Sequence, residues 1–293
     1  MKRAYIIASM VLVLCIHVLS VAGSPHPKIP AKAAIVVDSS GDVLYAKFPD
    51  AKLAPASTVK LVTAMVVIDR LDPAIKVKIS RSAAKVRSIR PRLHADEELT
   101  VSDLLHLALM KSINSAAVAL AEATAGTEQD FVVLMNRKAQ EIGTSNTLFA
   151  NASGLPQGTQ YTTASDLALI LRTALSYPLI RETLGTKAYL VRTTGGRDIF
   201  LENSNDLLWQ ANMIGGKTGY TGNARHCFVC AINTERGPLF TAVLGARSRS
   251  SLWRSTLLLE EIGMQQESLR EEEKAEETKA IEVEQQTTNN SGL

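Results

Sequence analysis

Cysteine is scarce in this chain: 293 residues contain three, and one of them, Cys15, lies in an apolar run near the start. The remaining pair, Cys227 and Cys230, is spaced C-x-x-C, which can signal redox or zinc chemistry. No second cysteine pair is present to complete a four-ligand zinc site. The pair also sits in an apolar run, Cys227-Phe228-Val229-Cys230-Ala231-Ile232, that reads as a buried strand. Residues three apart on a strand face opposite ways, which disfavours a mutual bond. Both are therefore expected to be core residues. Aromatic residues make up only 5%, and no aromatic-rich basic run or nucleic-acid motif is found, so nucleic acid is not an expected partner. No internal repeat is apparent.

Charge is unevenly spread. The net is +3, yet residues 260–293 hold ten Glu against Arg270, Lys274 and Lys279, leaving +10 on the preceding body. A basic body suits an anionic partner, such as a wall polymer or an acidic lipid surface. The start carries Lys2 and Arg3, then an apolar stretch from Ala4 to Ala22, then small residues Ser20, Ala22, Gly23 and Ser24. That order reads as a secretory signal over residues 1–23. Its length leaves an uncleaved N-terminal anchor as the one route to membrane attachment. Leu14 before Cys15 does not fit a lipidation site.

Residues 24–32 read as a Pro- and Lys-rich linker. Ala33 to Val37 and Val43 to Lys47 read as a hairpin around the turn cluster Asp38 to Asp42. A buried helix follows from Pro55-Ala56-Ser57, and two more helices span Thr100 to Ala125 with a break at Ser112-Ile113-Asn114. Residues 127–142 and Thr163 to Ser176 are helical, with a loop at Asn151 to Gly158. Strand signals return at Ala188 to Arg192, Ile199 to Leu201, Phe228 to Ile232 and Leu239 to Leu244. A last helix covers Leu252 to Ile262. The expected class is α+β: an antiparallel sheet built from both chain ends, flanked by helices, with an inserted helical lobe. Residues 33–262 form the expected domain. The acidic tail 263–293 reads as disordered or a loose solvated helix.

Three short motifs stand in one order: Ser57-Thr58-Val59-Lys60, Ser112-Ile113-Asn114 and Lys217-Thr218-Gly219. Each alone is weak; Ser82 to Lys85 repeats the first spacing, Ser57 alone is an ordinary helix cap, and the other two can be turns. Together they supply a serine nucleophile and two lysines, with no need for a catalytic histidine. A hydroxyl needs a neighbour to take its proton. Lys60, three residues on, shares a helical face with Ser57. Burial, and a second cation such as Lys217, would lower its pKa enough to make it a base. Ser112 can relay a proton to a leaving amine, and Asn114 can bind a substrate carbonyl and Lys60. On an exposed strand edge Lys217 and Thr218 would bind a carboxylate, and Gly219 would admit substrate backbone.

With these residues the chain resembles the low-molecular-mass penicillin-binding proteins, the D-alanyl-D-alanine carboxypeptidase family of serine peptidases, over about residues 30–262. The likeness extends to Leu53-Ala54-Pro55-Ala56, Leu99 through Leu105, Asn151 through Leu155, Thr163 through Ala168 and Gly216 through Thr221. It implies a β-lactamase/DD-peptidase-like fold and acyl transfer on peptidoglycan stem peptides by an exported protein, in the periplasm or at the outer face of the bacterial cytoplasmic membrane. Ser57 would form the acyl-enzyme, with Lys60 as base and Ser112 as proton relay. Asn114, Lys217, Thr218 and Gly219 would hold substrate, and the N–H groups of Ser57 and Tyr220 would form the oxyanion hole. β-Lactams would acylate Ser57, and the resemblance implies no metal or organic cofactor. A carboxypeptidase is the first expectation; a DD-endopeptidase shares every catalytic residue, and a β-lactamase or a non-catalytic wall-binding or β-lactam-sensing module are weaker alternatives. The chain departs from the pattern at Ile113, where many relatives have glycine and where bulk would crowd the cleft. Leu252 stands where many have a carboxylate-binding arginine, with Arg249 and Arg254 nearby as substitutes. An amphipathic C-terminal anchor is not expected, since the tail lacks an apolar face.

Overall fold

A computed structural model describes residues 28–290. The signal and anchor expectations for residues 1–23 lie outside that range.

Five strands form the main sheet: β1 (Ala33–Val37), β2 (Val43–Lys47) and, after two short hairpins described below, β7 (Met213–Thr221), β8 (Arg225–Thr234) and β9 (Gly237–Ala246). Their spatial order is β2-β1-β9-β8-β7, all antiparallel. The two chain ends thus meet in one sheet, as expected, and β7 is an open edge. The β1–β2 turn is drawn tight by Asp38, whose carboxylate accepts the N–H groups of Ser40, Gly41 and Asp42 at 2.9 Å.

Period-two burial gives the sheet two buried faces. Ile35, Cys227, Val229, Ala231, Ala242 and Leu244 face the helical lobe. Val36, Phe228, Cys230, Ile232, Leu239 and Val243 face the C-terminal helix. Cys227 and Cys230 therefore belong to opposite cores, are both free, and are pushed up in pKa by burial.

The lobe is inserted between β2 and β7. It comprises α1 (Lys60–Ile68), α2 (Arg81–Lys85), α3 (Val101–Met110), α4 (Asn114–Ala125), α5 (Glu128–Ile142), α6 (Ala164–Ala174) and α7 (Pro178–Gly185). Two small hairpins accompany it: β3 (Lys76–Lys78) with β4 (Glu98–Thr100), and β5 (Ala188–Arg192) with β6 (Asp198–Glu202). Thr100, Thr127 and Thr163 cap α3, α5 and α6, each accepting the N–H three residues on. From Lys60 to Val67 every residue of α1 is buried, so this helix is a central rod.

The last helix, α8 (Arg249–Asn290), runs far beyond the expected end at Ile262. Leu252, Leu259 and Ile262 seat it on the sheet. Past them, Glu267 accepts from Thr234 and Glu271 pairs with Arg236 at 2.7 Å. The acidic segment is thus helical. The described part of the expected linker is also packed: Ile29 is 1% exposed in the sheet–α8 core. No helix of the described residues is long and apolar enough to cross a membrane.

Candidate active site

Ser57 lies in a 3-10 turn, Ala56–Val59, that leads into α1. It precedes the α-helix by one turn rather than opening it. The residue before it, Ala56, has φ +50, an uncommon conformation for a residue with a Cβ. Two glycines make this bend fit. A Cβ on Gly154, whose φ is +81, would stand 1.9 Å from the Ala56 carbonyl oxygen, and one on Gly219 would stand 3.0 Å from Ser57 N. The nucleophile's peptide is therefore clamped between a loop on one side and β7 on the other.

Lys60 is fully buried at the first position of α1. Its Nζ lies 3.0 Å from Ser57 Oγ, 2.7 Å from Asn114 Oδ1 and 2.6 Å from the Ser153 carbonyl. Burial first, and the Lys217 charge second, hold its pKa well below the ordinary lysine value. A protonated ammonium donates to all three oxygens. A neutral amine keeps two N–H bonds for the two carbonyl-type oxygens and turns its lone pair to the serine hydroxyl. The three contacts thus fit the base form without an orphaned group.

The loop that supplies Ser153 is organised by Asn151. Its Oδ1 accepts from Gly154 N at 2.7 Å and its Nδ2 donates to the Leu155 carbonyl at 2.9 Å. Thr63 on α1 ties the same loop through the Ala152 carbonyl at 2.8 Å. In the sequence this loop stands out only through the family likeness; the role of the Ser153 carbonyl carries no side-chain signal.

Asn114 opens α4 after the break, with its own N–H donated to Ser88 Oγ at 2.7 Å. One N–H of its amide goes to the Arg87 carbonyl at 2.8 Å, leaving the other for a ligand. Ser112 adopts φ +62 in the break. Its Oγ is buried and has no hydrogen-bond partner among the described residues. Ser112 is not hydrogen-bonded to Lys60 or Lys217 here. Ile113 turns away from the cleft and is fully buried in the main core. The expectation that its bulk crowds the cleft is corrected: the helix break points residue 113 inward.

Lys217 is fully buried on β7, and desolvation lowers its pKa to about 7. Its Nζ donates to the Thr218 carbonyl at 2.9 Å. Thr218 Oγ1 lies 2.8 Å from Ser204 Oγ. Tyr220 is exposed, its ring tilted on His226 with centroids 4.5 Å apart. Since β7 is an edge, alternate N–H groups along it lack a strand partner.

The three positions expected to bear on carboxylate reading separate. Leu252, on α8, is buried against the sheet. Arg254 lines a cavity outside the cleft. Arg249 reaches the motif: it donates to the Ser204 carbonyl at 3.1 Å, beside Thr218. It also makes a two-pronged pair with Asp206, at 2.9 and 2.7 Å, which holds the Asp206 carboxyl below its ordinary range. Ser204 and Asp206 carry no signal in the sequence. The chance repeat at Ser82 and Lys85 is no second site: both are exposed, and Ser82 donates to Glu122 at 2.6 Å.

Comparison with known proteins accords with this geometry. A family model described as D-alanyl-D-alanine carboxypeptidase matches residues 20–248. A D-alanyl-D-alanine carboxypeptidase of Bacillus subtilis is 34% identical, covering 74% of this chain and 57% of that protein. A D-alanyl-D-alanine endopeptidase of Pseudomonas aeruginosa is also 34% identical, covering 78% of this chain and 77% of that protein. This chain thus spans little more than half of the first relative's length. The crystal structure of a D-alanyl-D-alanine carboxypeptidase from Mycobacterium tuberculosis superposes with a TM-score of 0.78 at 31% identity, over 83% of this chain and 94% of that one. The chain belongs to the D-alanyl-D-alanine carboxypeptidase family of serine peptidases.

Proposed function

We propose that the chain is a serine DD-peptidase that cleaves D-alanyl-D-alanine bonds of peptidoglycan stem peptides as a carboxypeptidase. The observation that carries this reading is the buried Lys60 amine within 3.0 Å of Ser57 Oγ, with its other contacts already satisfied.

The Ser57 hydroxyl gives its proton to Lys60 as its oxygen attacks the carbonyl between the two D-alanines. The oxyanion is received by the N–H groups of Ser57 and Tyr220, a contribution of about 3 kcal/mol per donor in such sites. The C–N bond then breaks, and the leaving amine takes a proton passed from Lys60 through Ser112. Water, deprotonated in turn by Lys60, attacks the ester and returns Ser57 with a free carboxylate product. Asn114 holds the substrate backbone, while Lys217 and Thr218 face its terminal carboxylate and Gly219 admits it closely. β-Lactams would acylate Ser57 by the same first step. The reaction belongs outside the cytoplasmic membrane, where stem peptides are, and the run from Ala4 to Ala22 supports export.

A DD-endopeptidase is the second reading, favoured by two observations. The arginine that reaches Thr218 through Ser204 is already neutralised by Asp206, and Leu252 is buried. An endopeptidase does not need to read a free carboxylate. Mass spectrometry on two substrates separates the readings. A stem pentapeptide ending in D-Ala-D-Ala that loses one alanine, with no loss in Ser57→Ala protein, supports the carboxypeptidase. A cross-linked dimer split to monomers, with the pentapeptide untouched, replaces it by the endopeptidase. Turnover of neither substrate rejects both.

A further inference from the structure

At the end of the main sheet where β1 and β8 begin and β9 stops, a cavity of about 940 Å³ opens to solvent. Its wall carries six cationic side chains: Lys28, Lys32, Lys47, Arg225, Arg247 and Arg254. Among the described residues no acidic side chain lines it. All but Lys47 are exposed, and none of the five is paired with a carboxylate among the described residues. Other surface cations of this protein, such as Arg192, Arg236 and Arg249, do have such partners. Lys47 holds the wall together. Its ammonium donates to the carbonyls of Ile29 and Ala31 at 2.7 and 2.8 Å, fixing residues 29–31 in place. The stem of Lys32 lies against the backbone of Gly245. The wall is thus built, with its free positive groups converging on one concavity.

Like charges gathered in this way repel one another, and an anion relieves that repulsion. Three of the six are arginines, whose planar guanidinium suits a phosphate oxygen pair. The position in the chain indicates which phosphate. The apolar run ends at Ala22, and only residues 23–27 separate it from Lys28. Five residues reach at most about 18 Å. Where that run is retained as an N-terminal anchor, and during export before any cleavage, the cavity stands close to where the run meets a bilayer.

We propose that this cavity docks the protein on anionic phospholipid head groups, orienting the sheet end toward the membrane. The inference is independent of the reaction above, because none of these six side chains contacts Ser57, Lys60 or the β7 motif. Two other occupants are chemically conceivable: free inorganic phosphate, and the acidic end of α8 from a second copy. The latter is a weaker match, since Lys274 and Lys279 interrupt its glutamates.

The test is flotation of the full chain with vesicles of phosphatidylglycerol or of phosphatidylcholine. The apolar N-terminal run contributes equally to both, and Lys2, Arg3 and the rest of the basic body contribute equally to native and variant protein, so the change in ratio on substitution reports the cavity. A preference of tenfold or more for phosphatidylglycerol, abolished at high salt, is expected. Lys32→Gln/Arg225→Gln/Arg247→Gln should lose that preference, at about fivefold per cation removed, while β-lactam acylation of Ser57 is unchanged. Should the triple variant fail to fold, Lys32→Gln and Arg247→Gln made singly decide, each expected to lower the preference about fivefold; a preference unchanged in both overturns the proposal. Equal binding to the two vesicles overturns the proposal, as does a preference that survives the triple substitution. Release from phosphatidylglycerol by dilute inorganic phosphate would assign the cavity to free phosphate instead. Salt-sensitive dimers without vesicles, abolished by deleting residues after Arg270, would assign it to a second copy.

Discussion

Among individual residues, the chemistry depends on one lysine being uncharged. Lys60 is buried, and among the described residues the charge that bears on it is that of Lys217, also a cation when protonated. Both effects favour the neutral amine over the ammonium, the direction a general base needs. Replacing Lys60 by Ala should slow acylation by a chromogenic β-lactam by about 10²–10⁴-fold, read by stopped-flow absorbance. A pH profile tests the coupling. The rate rises with pH as Lys60 loses its proton. Removing the neighbouring charge in Lys217→Met raises the Lys60 pKa, so the rising limb moves to higher pH. A limb that stays in place, whatever the drop in rate, would show that Lys217 does not set the base.

Elements hold these residues by contacts that the motifs themselves do not contain. The loop Asn151 to Leu155 presses Gly154 against the Ala56–Ser57 peptide and points the Ser153 carbonyl at Lys60. Gly154→Ala would set a methyl into the Ala56 carbonyl at a φ that costs an alanine about 1–2 kcal/mol. The nucleophile then shifts, and a displacement near 1 Å can cost about 10²-fold in rate. Acylation should fall by that order while circular dichroism still shows a folded protein; unchanged acylation would mean the clamp is not needed. The helix α8 carries a different liability. Glu260 is buried against Cys230 Sγ at 3.5 Å, and burial raises its pKa from the ordinary 4.5 to about 7. A raised carboxyl is stabilising in its protonated form. Its contribution is full below about pH 4.5 and lost as pH climbs through about 7, a change of roughly 3 kcal/mol. Glu260→Gln should flatten the fall in urea-unfolding stability between those pH values. An unchanged slope would show that Glu260 ionises without cost.

For the molecule as a whole, the sheet of mixed chain ends, the helical insert and the three-motif cleft were legible because each leaves a local mark. Period-two runs such as Ala33 to Val37 mark strands, and threonine caps such as Thr127 mark helix starts. What escaped was set by tertiary contact. The helix α7 and the turn Asp206–Trp209 are short and lean on neighbours. The exit of Ile113 into the core follows from the left-handed φ at Ser112, which no side chain announces. Ser204 and Asp206 gain meaning only where the fold brings Arg249 and Thr218 beside them. The tail reads as polar all round, and its helix is fastened by the ion pair at Arg236 rather than by an apolar stripe.

The chemistry proposed for the cleft is covalent: Ser57, activated by Lys60, carries the acyl group. Intact-protein mass spectrometry after exposure to benzylpenicillin, followed by peptide mapping, puts that to the proof. A single adduct on Ser57 is predicted, absent from Ser57→Ala and strongly slowed in Lys60→Ala. An adduct on Ser82 or Ser112, or none on the native chain, would contradict it.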